Sequence, residues 1–289
     1  MRADPELIRQ ARALHEAPAV PARPPTVRLN EVDLHAVTES QCIRYVLSSL
    51  AAGRGGWVVT PNLDHMRRAA VDEAFRAMLA EADLVVADGM PLVWASRVQG
   101  TPLPERVAGS SLTLTLTEAA ALRGHGVFLL GGAPGAAAAA ATLLAARFPG
   151  LPVVGQYGAP YGFEREPAEM EALRRQLDET RPAIVFVALG SPKQEWLIRE
   201  LRHDLPGTWW LGVGISFSFV CGQVKRAPRW MQKAGLEWAH RLAQEPRRLG
   251  RRYLVEGPPF AASLLWHAGV CRCRGRGVKV EAAGAGTPL

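Results

Sequence analysis

Short apolar runs alternate with amphipathic stretches along the first three quarters of the chain. Six of these runs have the length and β-rich character of buried strands and are bounded by turn residues. They cover residues 56–59, 83–87, 127–130, 152–155, 183–189 and 209–213. Because helical stretches separate them, the sequence predicts a doubly wound α/β fold, which is a mostly parallel sheet with helices on both faces.

Helices are predicted from apolar spacing and from capping residues. Apolar residues recur at helical intervals over residues 63–78, which predicts one helix there, and 136–146 is an alanine-rich helix. Residues 27–34 alternate as a strand does. Thr38 and Gln41 then fit the capping box of the helix that follows.

The pattern changes after Gly222. An apolar residue recurs at every fourth position, which predicts a helix with one apolar stripe: Trp230, Ala234, Trp238 and Leu242. Pro246 suits the first position of a second short helix. We therefore divide the chain into an irregular lead-in (1–26), an α/β core (27–222), a basic helical appendage (223–257), and an apolar, then basic, partly disordered tail (258–289).

The composition is that of a globular protein and excludes disordered, collagen-like and disulfide-scaffold chains, since it is 48% hydrophobic and 21% charged. The net charge of +7 comes from the C-terminal quarter. Residues 222–289 hold 13 of the 34 basic side chains but only 4 of the 27 acidic ones. A cationic segment of this kind predicts a polyanion, a diphosphate or an anionic membrane surface as partner.

The sequence also predicts where the protein works. No stretch approaches the roughly 18 apolar residues of a membrane-spanning helix, and the apolar segment 258–270 is too short. Residues 1–20 lack the apolar centre of a secretory signal. We therefore expect a cytoplasmic protein whose four cysteines are reduced.

Candidate chemistry lies directly after the predicted strands. Ligands of open α/β sheets bind beyond the carboxyl ends of the strands. Four polar or glycine-rich turns occupy such places, and we expect them to share one edge of the sheet: 60–62, 88–89, 131–135 and 190–194.

Asp88 is the most specific candidate in these turns. It follows an apolar run and precedes Gly89, so its carboxylate would be partly desolvated. Desolvation raises the pKa of a carboxyl toward the range of a general base. The alternative is an aspartate that only makes a turn before glycine, and spacing alone does not choose between the two.

The other turn residues have structural alternatives as well. Gly131 and Gly132 lead into a helix whose N-terminus could hold a phosphate, although a plain turn is the simpler interpretation and the G-x-G-x-x-G fingerprint is missing. Asn62 could cap a helix, and Gln194 could begin one as a solvated residue. Asp64 and His65 are expected on a helix surface without a role.

Several motifs are missing from the sequence. It contains no Asp-x-Asp motif for a metal-bound nucleotide diphosphate, and its seven histidines are scattered. It has no Gly-x-Ser-x-Gly elbow. If a diphosphate leaves during the reaction, the arginines after Gly222 are the cations available to take its charge.

These residues resemble the WecG/TagA/CpsF glycosyltransferases. The resemblance runs from about residue 27 to 260 and rests on several blocks in the same order: 60–62, 82–90, 100–109, 190–195, 212–214, 224–230, 236–238 and 241–242. It implies an inverting, metal-independent enzyme without a cofactor. Such an enzyme moves N-acetylmannosamine or a related sugar from a UDP-sugar to a polyprenyl-diphosphate-linked sugar, for a teichoic acid, enterobacterial-common-antigen-like polymer or exopolysaccharide.

The resemblance also implies roles for individual residues. Asp88 would be the base that deprotonates the acceptor hydroxyl, and Arg106 a cation near the reacting centre. The appendage, 223–257, would cover the active site, face the membrane and bring arginines to the diphosphate, by spacing Arg241, Arg248 and Arg251. Sugar and nucleotide would be positioned by Thr60, Asn62 and Gln194, and the adjoining turn residues Gly131, Gly132, Gly190 and Lys193 complete the predicted substrate site.

Some points stay open at the level of sequence. Many members carry Asp where this chain has Ser218, and the alternative is a UDP-glucose-type transferase that extends a lipid-linked exopolysaccharide oligosaccharide. A nicotinamide-dependent oxidoreductase and a membrane- or nucleic-acid-binding module are the rivals from other classes. The predicted location is the cytoplasmic face of the membrane, as a peripheral protein, with no nucleic-acid partner and with homo-oligomer formation left open.

Overall fold

A computed structural model of the chain describes residues 22–274, except for the side chains of Arg229 and Lys233. The strands are β1 Thr26–Leu29, β2 Val32–His35, β3 Gly56–Val59, β4 Leu84–Val85, β5 Val127–Gly131, β6 Val153–Tyr157, β7 Ile184–Ala188 and β8 Trp209–Gly212. The helices are α1 Glu39–Ala51, α2 Leu63–Val71, α3 Glu73–Ala80, α4 Met90–Gln99, α5 Gly109–Ala121, α6 Ala136–Arg147, α7 Pro167–Thr180, α8 Lys193–Leu201, α9 Ser216–Val220, α10 Arg229–Lys233, α11 Glu237–Gln244, α12 Pro246–Gly250 and α13 Gly257–Cys273.

Six strands form one sheet with helices around it, in the order β4-β3-β8-β7-β5-β6. The pairs β3–β8, β8–β7, β7–β5 and β5–β6 are parallel. Strands β5, β7 and β8 are buried at every position, as in sheets whose two faces are covered. The prediction of a doubly wound α/β fold is confirmed.

The described chain divides into two compact units made of interleaved segments. The first unit contains Ser40–Val58 and Gly109–Gln223, and the second contains Arg23–Glu39, Val59–Ala108 and residues 224–274. Four consecutive domains were predicted from the sequence, and that division stays a prediction. Residues 1–21 of the predicted lead-in and 275–289 of the predicted tail lie outside the described residues.

Residues 27–34 form a hairpin and not the single strand that was predicted. β1 and β2 pair antiparallel, with Leu29 opposite Val32. Asn30 and Glu31 between them have φ angles of 44° and 66°. Two central residues with positive φ define the type I′ turn that matches strand twist. The two consecutive polar residues, which break the alternation, are the signal that the prediction missed.

The single helix predicted over residues 63–78 is two helices, α2 and α3. Asp72 between them is extended, with φ −120° and ψ 101°. Its carboxylate accepts the backbone N–H of Phe75 at 2.9 Å, so Asp72 caps α3. The apolar spacing continues across the break because both helices bury one face in the second unit, as Met66 and Met78 show.

The apolar segment that begins the predicted tail is helical. It forms α13, which packs along α4 in the second unit and buries Leu264 and Ala268. Helices α12 and α13 are joined by the π-helical segment Arg251–Glu256. Over the part of the chain that the structure describes, no helix combines the length and apolar character needed to cross a membrane.

His35 is a buried titratable group that joins the hairpin to β4. Its side chain is 3% exposed, and its Nδ1 accepts the backbone N–H of Val85 at 2.9 Å. The guanidinium of Arg23 lies beside the ring, with Nε 3.3 Å from Nε2. Burial and the charge of Arg23 lower the pKa of His35 to about 4.

We predict that His35 makes stability fall with acid. A histidine pKa of about 4 in the folded state, against an ordinary value of 6.5, gives a contribution that is complete above pH 6.5 and is lost as pH falls toward 4. The full effect is about 3 kcal/mol. Chemical denaturation from pH 7 to 4 should show this slope in the native protein and not in His35→Asn, whose amide oxygen can still accept from Val85.

Arg23→Gln provides the matched control for this prediction. It removes the neighbouring charge that lowers the pKa of His35, so that pKa should rise toward 6.5 in the folded state. The loss of stability with falling pH should then span a narrower pH range. An unchanged slope in His35→Asn would assign the acid sensitivity to other groups.

Candidate active site

Asp88 and the turn after β3 lie together in the second unit. The backbone N–H of Asp88 donates to the carbonyl of Pro61 at 2.8 Å. A Cβ on Gly89 would lie 4.0 Å from the Cα of Asn62, which shows how closely the two turns approach. Asp88 and Thr60 are both half-buried. The fold therefore brings together the residues predicted from these two turns.

Asn62 caps helix α2, as its structural interpretation predicted. Its Oδ1 accepts the backbone N–H groups of Asp64 at 3.0 Å and His65 at 3.3 Å. Nη2 of Arg252, from the π-helical segment, lies 3.4 Å from the same oxygen. Since this oxygen is occupied, the amide can offer a ligand only its Nδ2 donors. A group bound by Asn62 would then be an acceptor, such as a hydroxyl, carbonyl or phosphate oxygen.

Asp64 and His65 do not lie on a helix surface as expected. His65 is 6% exposed and belongs to the capping box of α2. Asp64 pairs with Arg67 at 3.0 Å and with Arg252 at 3.5 Å. Burial would raise the pKa of Asp64, but the charges of Arg252 and Arg67 and the hydrogen bond from Arg67 outweigh it and lower that pKa.

Arg106 is held by the appendage in the second unit. Its Nη1 lies 2.9 Å from the Glu237 carboxylate of α11, and both side chains are about 15% exposed. Arg226 reaches the other oxygen of Glu237 at 3.7 Å. One carboxylate therefore faces two guanidinium groups, and Glu237 fixes the position of Arg106. Sequence reasoning noted Glu237 within a motif but assigned it no role.

The three predicted diphosphate arginines differ in their surroundings. Arg248 pairs with Glu245 and is half-exposed, while Arg251 is 85% exposed and pairs with Glu256 at 2.9 Å. The Nε of Arg241 is buried and has no hydrogen-bond partner in the structure. Arg252 contacts the turn after β3, although spacing did not select it from the four arginines of this segment.

Gln194 ties two turns together in the first unit. Its Oε1 accepts the backbone N–H of Gly190 at 3.2 Å and that of Gly214 at 3.0 Å, and its Nε2 donates to Glu195 at 2.8 Å. Gln194 and Glu195 are 5% and 2% exposed. The alternative of a solvated glutamine at the start of a helix is therefore wrong. Gln194 connects the turn after β7 to the turn after β8.

Gly212, the last residue of β8, leaves the space that Gln194 fills. A Cβ at this position would lie 2.5 Å from Nε2 of Gln194 and 2.9 Å from its Cδ. No side chain fits there without moving the amide. Both glycines of the Gly-Val-Gly block therefore act on Gln194: Gly212 leaves space for its amide, and Gly214 donates its backbone N–H to it.

The other predicted residues of the first unit lie at a strand end, in turns or at a helix start. Gly131 and Gly132 have φ angles of 88° and 92°, which glycine adopts readily, and Gly132 approaches the ring of Phe217. Gly190 has a φ of 76°. Lys193 begins α8 and pairs with Glu164 at 2.6 Å. The four turns belong to two different units. The expectation that they form one site therefore stays a prediction.

Ser218, where the resemblance led us to expect Asp, lies in α9. It is 8% exposed, and its hydroxyl donates to the side-chain oxygen of Gln223 at 3.2 Å. Within residues 22–274, no group of three His, Cys, Asp or Glu side chains is arranged to hold a metal ion.

Comparison with known proteins decides the family. The model of the glycosyl transferase WecG/TagA/CpsF family matches residues 27–272, which is most of the chain. The chain belongs to this family. It is therefore a glycosyltransferase, and membership decides against an oxidoreductase and against a module that only binds membrane or nucleic acid.

A curated relative supports the same assignment. This glycosyltransferase is 32% identical over 218 residues to the N-acetylglucosaminyldiphosphoundecaprenol N-acetyl-beta-D-mannosaminyltransferase of Bacillus spizizenii. The match covers 75% of this chain and 82% of the relative. The resemblance inferred from the sequence blocks is confirmed.

We predict that Gly212→Ala lowers the free energy of unfolding by about 1–3 kcal/mol, because the added methyl group overlaps the Gln194 amide. Moving that amide breaks the hydrogen bonds that it accepts from Gly190 and Gly214. Urea denaturation measures the change. Gly158→Ala is the matched control, since a Cβ there meets no atom within 4 Å. Equal stability of both variants would show that Gln194 can move without cost.

Proposed function

We propose that this glycosyltransferase transfers N-acetylmannosamine, or a related hexose, from a UDP-sugar to a sugar carried on a polyprenyl diphosphate. The relative's name supports both the transferred sugar and an N-acetylglucosamine acceptor on a lipid diphosphate. The reaction inverts the configuration at the anomeric carbon and uses no metal ion. It occurs at the cytoplasmic face of the membrane and builds a cell-surface polysaccharide.

Asp88 is the base in this proposal. The acceptor hydroxyl gives its proton to the Asp88 carboxylate while its oxygen bonds to the anomeric carbon, and the bond from that carbon to UDP breaks. The bond from the Asp88 N–H to the Pro61 carbonyl carries this assignment, because it fixes the aspartate beside Thr60 and Asn62. Asn62 would donate from Nδ2 to a sugar or phosphate oxygen.

Arginines of the appendage take the charge of the diphosphate. The buried Nε of Arg241 has no protein partner in the structure, and a phosphate oxygen would supply one. Arg248 and Arg251 are exposed cations that an anionic ligand could reach. Charge-assisted bonds of this kind stabilise a leaving diphosphate. The predicted turn residues keep their proposed part in positioning the donor: Thr60, Gly131, Gly132, Gly190, Lys193 and Gln194.

The appendage also has the side chains of a membrane-interface segment. Several of its large apolar residues are exposed beside its arginines: Trp230, Leu236, Trp238, Leu254 and Val255. Trp266 of α13, in the segment that follows, is exposed as well. Tryptophan with arginine suits the boundary between headgroups and acyl chains. This supports peripheral binding to an anionic membrane, where a polyprenyl-linked acceptor resides.

We predict that Asp88→Asn lowers turnover about 10²–10⁴-fold, because the amide keeps the shape of the side chain but cannot accept the proton. UDP binding, followed by calorimetry, should be retained. Asp178→Asn, which neutralises an exposed carboxylate of α7, is the control and should keep full activity. Full activity in Asp88→Asn would rule out Asp88 as the base.

UDP release from a panel of UDP-sugars tests the whole reaction. With a polyprenyl-diphosphate N-acetylglucosamine analogue as acceptor, we expect release from UDP-N-acetylmannosamine that depends on acceptor and persists in EDTA. Release from UDP-glucose alone would favour the alternative donor. Loss of release in EDTA would contradict the use of arginine in place of a metal, and release without acceptor would contradict the proposed transfer.

A further inference from the structure

A network of ion pairs connects helix α2 to the π-helical segment of the appendage. Arg67 Nη2 lies 3.0 Å from Asp64 and 2.9 Å from Glu256, and Arg252 Nη2 lies 3.5 Å from Asp64. We refer to Asp64, Arg67, Arg252 and Glu256 as the clamp. Two of its members belong to α2 and two to the appendage, with opposite charges facing each other.

The clamp is more buried than ion pairs on the surface. The Asp64 and Glu256 side chains are 14% and 26% exposed, and both arginines are 34% exposed. By contrast, the Arg28–Asp33 pair of the hairpin is 67% and 52% exposed. Water screens an exposed pair so well that it adds little stability, and this screening falls with burial.

The π-helical register gives Glu256 a second partner. A π-helix bonds residues five apart, so Arg251 and Glu256 come close along the segment, and their side chains meet at 2.9 Å. In an α-helix, residues five apart do not face each other. Glu256 therefore links an arginine proposed to bind the diphosphate to Arg67 of α2.

The same clamp reaches the turn that holds the proposed substrate residues. Arg252 lies 3.4 Å from Oδ1 of Asn62, the residue directly after Thr60 and Pro61. Leu63, the first residue of α2, lies 3.8 Å from where a Cβ of Gly257 would be. Helix α2 thus contacts the π-helical segment through ion pairs and the start of α13 through apolar atoms.

We propose that the clamp docks the appendage onto α2 and that Asp64 and Arg252 are positioning residues, which set Arg248 and Arg251 relative to the turn at Asn62. The inference rests on the proposed function for its catalytic consequence. Its structural part, the docking itself, does not depend on which sugar is transferred.

Hydrogen exchange of the full chain tests the docking directly. In Asp64→Asn, Arg252→Gln and Glu256→Gln we expect the amides of residues 246–256 to exchange about tenfold faster than in the native protein. Glu73→Gln is the matched control, because Glu73 is also an acid in the first turn of a helix, α3, but is outside the clamp. Unchanged exchange in all three clamp variants would overturn the proposal.

A double-mutant cycle shows whether Asp64 and Arg252 act through each other. The Asp64→Asn and Arg252→Gln double variant should exchange no faster than either single variant, whereas independent effects would multiply. Arg252→Lys keeps the charge and should restore most of the protection. Multiplying effects, or no rescue by lysine, would contradict a clamp between these two side chains.

Kinetics with the lipid-linked acceptor test the positioning role. If the proposed reaction is confirmed, we expect the clamp variants to raise the acceptor KM about tenfold with a smaller change in kcat, and Glu73→Gln to change neither. Unchanged KM together with faster exchange would mean that docking does not position the arginines. If no donor gives turnover, the proposed function fails, while hydrogen exchange still decides the docking.

Discussion

Backbone N–H groups at the ends of strands and the starts of helices need acceptors, and this fold supplies them from side chains. Gln194 accepts from Gly190 and Gly214, Asn62 from Asp64 and His65, and His35 accepts from Val85. Each bond ties a turn to a distant or following segment. The turns that carry the candidate chemistry are therefore held in place by side chains that are themselves buried or half-buried.

Sequence patterns predicted the sheet well because its strands are short apolar runs. The run at 56–59 is β3 without change, and the other five runs differ from the observed strands only at their ends. Asp72 was missed because the apolar spacing on either side continues through it. The extended conformation that lets Asp72 cap α3 comes from a local hydrogen bond, which periodicity does not detect.

The candidate site could be predicted only in part, since residue type and spacing do not show tertiary partners. The turns at 60–62 and 88–89 do lie together, as the order of the strands implied. Gln194 looked like a solvated residue because the N–H groups that it accepts belong to Gly190 and Gly214, which are distant from each other in sequence. Arg252 could not be separated from its neighbours, because only the fold shows which arginine faces Asn62.

The π-helical segment makes the appendage tolerant of a change in chain length. Its wider turn places one more residue between α12 and α13 than an α-helix of the same number of turns would hold. Deleting one residue between Arg251 and Glu256 would allow α-helical geometry with the same number of turns, so α12 would keep its orientation about the helix axis. The two side chains would then be four residues apart, a spacing that also brings them together on an α-helix. The loss of one residue is thus a mild change to this segment.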